Sequence, residues 1–167
     1  MRTPTPGSLL LAAWLGAAAL LATVVAPAAF AVLPSRTLAG ALVGQVLPPI
    51  FLSGILISLI GVAVDRPTVG RRHGVRRAAL LVVAASCAIA QFVVAPRIER
   101  VRRDIGGPVE ELAATDPRRI TFGRLHAVSV GWLGLAMISA AATVVLASMA
   151  PKMHAASLAE PAVAGAG

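Results

Sequence analysis

The chain has 167 residues, of which 57% are hydrophobic and 13% charged, and its formal net charge is +8. Soluble domains carry roughly 25% charged residues, so this composition excludes an ordinary water-soluble fold. The fifteen basic residues lie almost entirely between long apolar blocks, and the chain contains no Tyr to stack on nucleobases. This arrangement argues against nucleic-acid binding and is typical of topology signals in a membrane protein.

The first apolar block, residues 9–33, is long enough to cross a bilayer, which takes about 20 helical residues. A secretory signal peptide is the alternative, because the segment 29–31 has the small-residue character of a cleavage site. Signal peptides have apolar cores of only roughly 7 to 15 residues, so we predict a membrane span. Pro27 predicts a kink or a helix end, because proline removes a backbone donor.

The second block begins after Ser35, whose hydroxyl can cap a helix amino terminus. Its membrane span is predicted at about 41–64. Pro48 and Pro49 interrupt the block and remove two successive donors. We therefore expect a short helix over 37–47 and a main span over about 49–64, with one helix that continues through a bend as the alternative.

The third block, residues 78–96, follows a short loop that holds five arginines between positions 65 and 77. Pro96 predicts the end of this span or a bend in it. The segment 97–105 alternates in charge, with Glu99 and Arg103 at the i, i+4 spacing of a helical ion pair. We therefore predict a solvated helical extension of the third span.

The fourth helix is predicted to begin at Asp116-Pro117, an N-cap followed by a first-turn proline. The sequence 106–108 (Gly-Gly-Pro) ends the preceding helix. The fourth span is predicted at 122–149, and a small-residue tail, 151–167, is predicted to be disordered. The fold class is therefore all-α: a four-helix transmembrane bundle with a proline-interrupted second helix, forming a single domain over 1–150.

With four spans, both termini and the 65–77 loop share one membrane side. Lys and Arg number seven on that side and eight on the other, so the count alone does not decide the orientation. Five arginines in one short loop beside two spans are the stronger inside signal. We predict a multi-pass protein of the inner or plasma membrane with cytoplasmic termini.

The unusual residues of the spans gather near the opposite side. The predicted structural kinks are Pro27, Pro48, Pro49 and Pro96, and the candidate ligand-binding residues are Gln91, Arg97, Arg124, His126 and Ser129. Helix-breaking prolines at membrane depth free backbone carbonyls, which are tolerated where they line a watered cavity. This side is therefore the best candidate for a binding site.

The candidate residues have two interpretations each. His126 and Ser129 share a helix face with Phe122, and the imidazole either binds a ligand or joins a hydrogen-bond network with Gln91 or Ser129. Arg97 and Arg124 either clamp an anionic headgroup or merely reach the lipid phosphates from the helix ends.

The sequence contains no catalytic signature, and its acids lie outside the spans. We therefore predict no enzymatic activity, no cofactor and no metal. Cys87 lies in an apolar run and is predicted to be a small buried hydrophobe. A soft-metal site at Met149, Met153 and His154 is a minor alternative.

Five segments together resemble the TMEM205-like family, which in bacteria is named as a domain of unknown function, DUF4149. The segments are residues 14–16, 25–30, 47–51, 91–97 and 122–129. The most specific is the Phe-x-x-Leu-His-x-x-Ser element that ends the series. The resemblance extends from about Trp14 to Met149 and implies a small four-helix membrane protein whose motif residues gather near one membrane face. It implies no activity.

The leading functional hypothesis is a non-enzymatic accessory component that binds a small ligand, a lipid or a partner helix at this face. Its expected partners are membrane lipids, including anionic headgroups, with a second copy or another membrane protein as alternatives. An oligomeric channel or transport protein is the second hypothesis, and a metal-binding or redox component is the third.

Overall fold

Residues 6–64 and 71–148 are described by this computed structural model, and they form four long helices without any strand. Helix α1 comprises Pro6–Leu20, a π-helical turn at Leu21–Val25, and Ala26–Val32. Helix α2 is Arg36–Val64. Helix α3 comprises Arg71–Ile89, a π-helical turn at Ala90–Val94, and Ala95–Ile105, and helix α4 is Pro117–Ser148. The predicted tail and residues 65–70 of the predicted arginine loop lie outside the described residues. Residues 71–77, also predicted as loop, are instead helical and form the first turns of α3.

Each helix contains an apolar stretch long enough to cross a bilayer. The helices have 27 to 34 residues and therefore extend beyond the hydrocarbon layer, which about 20 residues span. The predicted all-α fold with four apolar spans is confirmed. The charged extension after Pro96 is also helical, as the sequence predicts, and ends at Ile105.

The predicted helix boundaries depend on local capping groups that the structure contains. Ser35 Oγ accepts a hydrogen bond from the Leu38 amide at 3.1 Å, and Asp116 Oδ1 accepts one from the Arg118 amide at 2.8 Å. Gly106 ends α3 in the left-handed region, at a φ of 68°, which glycine adopts without steric penalty. Single capping residues thus mark helix ends at both connections, the one between α1 and α2 and the one between α3 and α4.

The prolines do not end the helices. Pro48 and Pro49 lie inside one continuous α2, so the structure favours the single-helix alternative. Pro27 and Pro96 each follow a π-helical turn, and the helix continues beyond both of them. A π turn widens the helix by one residue and so accommodates a ring that would clash with the preceding turn.

The predicted pairing between the side chains of Glu99 and Arg103 is replaced by a neighbouring one. The Glu99 carboxylate pairs with Arg102 Nη1 at 3.1 Å, whereas Arg103 Nε donates to the Glu99 backbone carbonyl at 3.3 Å. Both spacings bring helix residues together. Arg102 is the better placed of the two because it lies on the face of α3 that turns toward the bundle interior.

The four helices pack as an up-and-down bundle in which each contacts its neighbours in chain order and α4 closes against α1. The main core occupies the end of the bundle that carries Pro6, Val64 and Ser148, called here the termini end. Its buried members are Leu11, Trp14, Ala18, Phe51, Leu80, Val83, Cys87, Ala90, Leu133, Ala136 and Ala140. Many are small, which permits the close helix approach that stabilises membrane bundles.

Gly54 is the most crowded of the described glycines, and three helices meet there. A Cβ there would lie 2.8 Å from the Trp14 ring and 2.9 Å from Cys87 Sγ. The indole Nε1 donates to the Ile50 carbonyl at 2.8 Å, which fixes the ring across α2. Glycine at this position therefore allows α1 and α3 to contact α2 at the same level.

We expect Gly54→Ala to lower the free energy of unfolding by about 1–3 kcal/mol, the usual range for overpacking a filled core. Thermal unfolding of the detergent-purified protein measures the effect. Gly44→Ala, in the same helix, is the matched control, because nothing lies within 4 Å of a Cβ at that position. Equal melting temperatures for the two variants would contradict the close three-helix contact.

Candidate ligand cavity

A cavity of about 830 Å³ opens between all four helices at the end of the bundle opposite the termini end. This end, called here the cavity end, carries the connection between α1 and α2 and the connection between α3 and α4. Residues of all four helices line the cavity, and Val109 and Glu110 of the second connection contribute to its mouth. The main core therefore lies in one half of the bundle, and the other half contains the cavity beside a smaller cluster of Ala29, Ala39 and Val43.

The prolines explain why the cavity lies in this half. Pro48 and Pro49 cannot donate to the carbonyls four residues earlier, so the carbonyls of Gly44 and Gln45 lose their helical partners. Gly44 and Gln45 both line the cavity, as does Pro96 of α3. Backbone carbonyls freed at membrane depth are tolerated where they face a polar or watered space, and the cavity provides one.

The interior of the cavity carries polar side chains without partners. Gln45, Gln91, His126 and Ser129 line it, and in the described part of the chain no hydrogen bond involves any of their side chains. Gln91 Oε1 is also fully buried. An unsatisfied buried acceptor costs about 1–3 kcal/mol, so a donor from water or a ligand would relieve this energetic penalty.

The mouth of the cavity is charged. Arg36, Arg102 and Arg119 lie there together with Glu99 and Glu110. Arg102 pairs with Glu99 and lies over the Phe122 ring, 6.0 Å from its centroid. The three guanidinium groups outnumber the two carboxylates, so the mouth is net positive.

Hydrogen bonds tie the second connection over this mouth. The Thr37 hydroxyl donates to Glu110 Oε2 at 2.7 Å, and Arg119 Nη1 donates to the Leu112 carbonyl at 2.6 Å. The bond from Thr37 lowers the pKa of Glu110 below its ordinary value. The carboxylate is therefore ionised at neutral pH, and this contact weakens only as the pH falls through that lowered value.

The structure divides the residues predicted from the sequence into two groups. Gln91, His126 and Ser129 come together in the cavity, and Pro48 and Pro96 also line it. No hydrogen bond joins His126 to Gln91 or Ser129 among the described residues, so the predicted imidazole network is not seen there.

Arg97 and Arg124 form the second group. Both side chains are exposed, and neither lines the cavity. Pro27 and Pro49 also lie outside its lining. The two arginines predicted as an anion clamp are therefore separated from the histidine element by the body of the helices.

Sequence reasoning missed the charged mouth, although a signal for it exists. Gln91, Ile98 and Arg102 are separated by seven and four residues, which places them on one helix face. Arg119 precedes His126 by seven residues in the same way. Extending the helix faces of the predicted polar residues by three turns from Gln91 and two turns from His126 would have identified both arginines.

No group of three His, Cys, Asp and Glu residues suited to a metal ion occurs among residues 6–64 and 71–148. Met149, Met153 and His154 lie outside the described residues. Cys87 is buried in the core, as the sequence predicts for a small hydrophobe.

A family model matches residues 9–106, which is more than half of the chain, and its description is "Domain of unknown function (DUF4149)". The chain belongs to the DUF4149 family. The match covers α1, α2 and α3, and ends before the His126 element of α4. No curated protein and no solved structure matches this DUF4149 chain significantly.

The cavity predicts which introduced thiols react with a water-soluble reagent. Gly44 lines the cavity, whereas Ala39 lies nearer the end of α2 and is 0% exposed. We expect Gly44→Cys to react with an anionic, membrane-impermeant methanethiosulfonate much faster than Ala39→Cys. The native Cys87 is 0% exposed and supplies the unreactive baseline. Faster labelling at Ala39 would mean that depth alone, and not the cavity, governs access.

Proposed function

We propose that this DUF4149 protein is a non-enzymatic accessory component of the membrane that binds an amphiphilic ligand in the cavity. The ligand class is a lipid-like molecule with an anionic head and an apolar body. The head would lie at the arginine-rich mouth, and the body would extend toward the core. No covalent step is part of this proposal.

The observation that carries the proposal is the buried, unpartnered carbonyl oxygen of Gln91 inside an open cavity. Buried polar groups in folded proteins are nearly always hydrogen-bonded. His126 and Ser129 line the same cavity, and their side chains also make no hydrogen bond within the described residues. One buried acceptor and two further polar side chains on the same space favour a ligand, with its own donor or bound water, over simple packing.

The shape and chemistry of the cavity fit an amphiphile. Its volume lies within the range of about 300–1,000 Å³ that is usual for small-molecule sites. Phe30, Phe51 and Leu133 supply apolar lining, whereas the mouth carries an excess of guanidinium groups. Arginine binds carboxylate and phosphate in a bidentate manner, so an anionic head matches the mouth.

Binding is favoured over transport because core side chains lie at the inner end of the cavity. Phe51 and Leu133 belong both to the cavity lining and to the packed core. Transport by an oligomer stays the second hypothesis, and it would require a path between copies.

We also propose that the chain is TMEM205-like, since His126 and Ser129 of its Phe-x-x-Leu-His-x-x-Ser element line the cavity. The proposed location is the inner or plasma membrane, with cytoplasmic termini. The cavity would then open toward the opposite, extracytoplasmic side. The crowded arginine loop supports this orientation.

Reporter fusions test the orientation. We expect a fluorescent protein that matures only in the cytoplasm to be active when fused after Ser148, and a periplasmic phosphatase to be active when inserted after Gly107. Gly107 is exposed in the connection between α3 and α4. The reverse pattern of activities would place the cavity mouth in the cytoplasm.

Filling the cavity should abolish ligand binding. We expect Gly44→Trp to remove the lipid-like species that native mass spectrometry detects on the detergent-purified protein. Gly131→Trp is the matched control, because Gly131 is exposed, lies outside the cavity lining and also has open space around it. Loss of the bound species from both variants would point to a general effect of bulk.

His126→Ala tests the polar interior separately. The proposal expects weaker binding with an unchanged melting temperature, because the imidazole makes no hydrogen bond within the described structure. Metal analysis of the same samples tests the third hypothesis. A metal present in the wild type and absent from His126→Ala would overturn the lipid proposal, and a bare wild-type protein would favour a scaffold.

A further inference from the structure

A second surface, on the outside of the bundle, carries chemistry that the cavity does not use. We propose that the outer groove between α3 and α4 binds the headgroup of an anionic phospholipid through Arg97 and Arg124. This site is distinct from the cavity, because neither arginine belongs to the cavity lining. It would select lipids of the surrounding bilayer.

The groove lies at the cavity end, where α3 and α4 extend beyond their apolar spans. It has a volume of about 150 Å³ and is lined by Val101, Asp104, Pro117, Arg118 and Thr121. Because α3 and α4 are antiparallel, the groove continues toward the membrane with falling residue numbers on α3 and with rising residue numbers on α4.

The two arginines lie one turn farther along these walls. Arg97 is four residues before Val101, and Arg124 is three residues after Thr121, so each shares the groove face of its helix. The groove thus leads to two guanidinium groups on facing helices at the same level of the bundle.

The groove has an outer level at Asp104 and Arg118, near the connection between α3 and α4, and an inner level at Arg97 and Arg124. The charged groups of the two levels differ in their partners. At the outer level, Arg118 Nη2 pairs with Asp116 at 2.9 Å, and Arg118 Nη1 donates to the Asp104 carbonyl at 3.4 Å. These interactions raise the pKa of Arg118 and lower that of Asp116. The charges of Arg118 and Asp116 therefore compensate each other, and the Asp104 carboxylate adds a negative charge at this level.

The inner level has no such compensation. Within residues 6–64 and 71–148, neither Arg97 nor Arg124 makes a side-chain hydrogen bond or an ion pair, and both are exposed. Two facing cations repel each other unless an anion lies between them. A lipid phosphate is the anion available at this depth, and arginine binds phosphate in a bidentate manner.

An apolar surface continues directly below the two arginines. Val93 lies four residues before Arg97 and is 41% exposed, while Val128 lies four residues after Arg124 and is 47% exposed. Both valines share the groove face of their helices at the depth of the acyl chains. The surface therefore presents cations at headgroup level and aliphatic side chains below, which matches one phospholipid.

Binding of phosphatidylglycerol to the full chain tests this site, measured by titration in detergent with native mass spectrometry. We expect Arg97→Gln and Arg124→Gln each to weaken binding of the first lipid by roughly tenfold, the effect of losing one charge-assisted contact. Because both would hold the same headgroup, the double variant should lose less than the product of the two single effects.

Arg103→Gln is the control with the same change in charge. Arg103 is also exposed on α3, but six residues from Arg97 and roughly 120° around the helix. A similar loss of affinity for Arg103→Gln would show general attraction to positive charge and overturn the site. So would equal affinity for phosphatidylcholine, or independent and fully multiplicative effects of Arg97 and Arg124.

Two further experiments distinguish lipid binding in the groove from binding of soluble phosphate and from binding in the cavity. Glycerol phosphate should not displace the lipid, because it lacks the chains that contact Val93 and Val128. Displacement at low concentration would mean that the groove is a site for soluble phosphate and would overturn the lipid assignment. Gly44→Trp should leave this binding unchanged, so the site can fail or hold independently of the proposed cavity ligand.

Discussion

The backbone must satisfy its polar groups without bulk water at membrane depth, and this constraint organises the whole bundle. The unusual prolines of the spans all lie in one half of the molecule. There the carbonyls of Gly44 and Gln45 lose their helical donors, and α1 and α3 each contain a π-helical turn before a proline. The same half contains the cavity, so the freed backbone groups and the open space occur together.

At the termini end, by contrast, the helices are closely packed. Its core is built from Ala, Gly and a few large side chains, and helix contact there depends on backbone proximity. Trp14 lies across Gly54 and donates to a carbonyl of α2, so one aromatic ring both fills the centre and satisfies its own donor.

The sequence predicted the helices well because their signals are local. Ser35, Asp116 and Gly106 mark helix ends through contacts within four residues, and apolar length alone identifies spans. The course of the helix through Pro48 and Pro49 was left open, because bundle packing decides whether a proline breaks a helix. The sequence also placed Arg97 beside the histidine element, since linear proximity and membrane level do not show which face of a helix a residue occupies.

The separation of the arginines gives the two surfaces different electrostatic characters. Arg102 reaches the cavity but is paired with Glu99, so a ligand head there would have to compete with a carboxylate. Arg97 and Arg124 make no ion pair among the described residues, so the proposed phosphate would have no carboxylate to displace there. An anion should therefore bind the outer groove with less rearrangement than it would at Arg102, where it would compete with the Glu99 carboxylate.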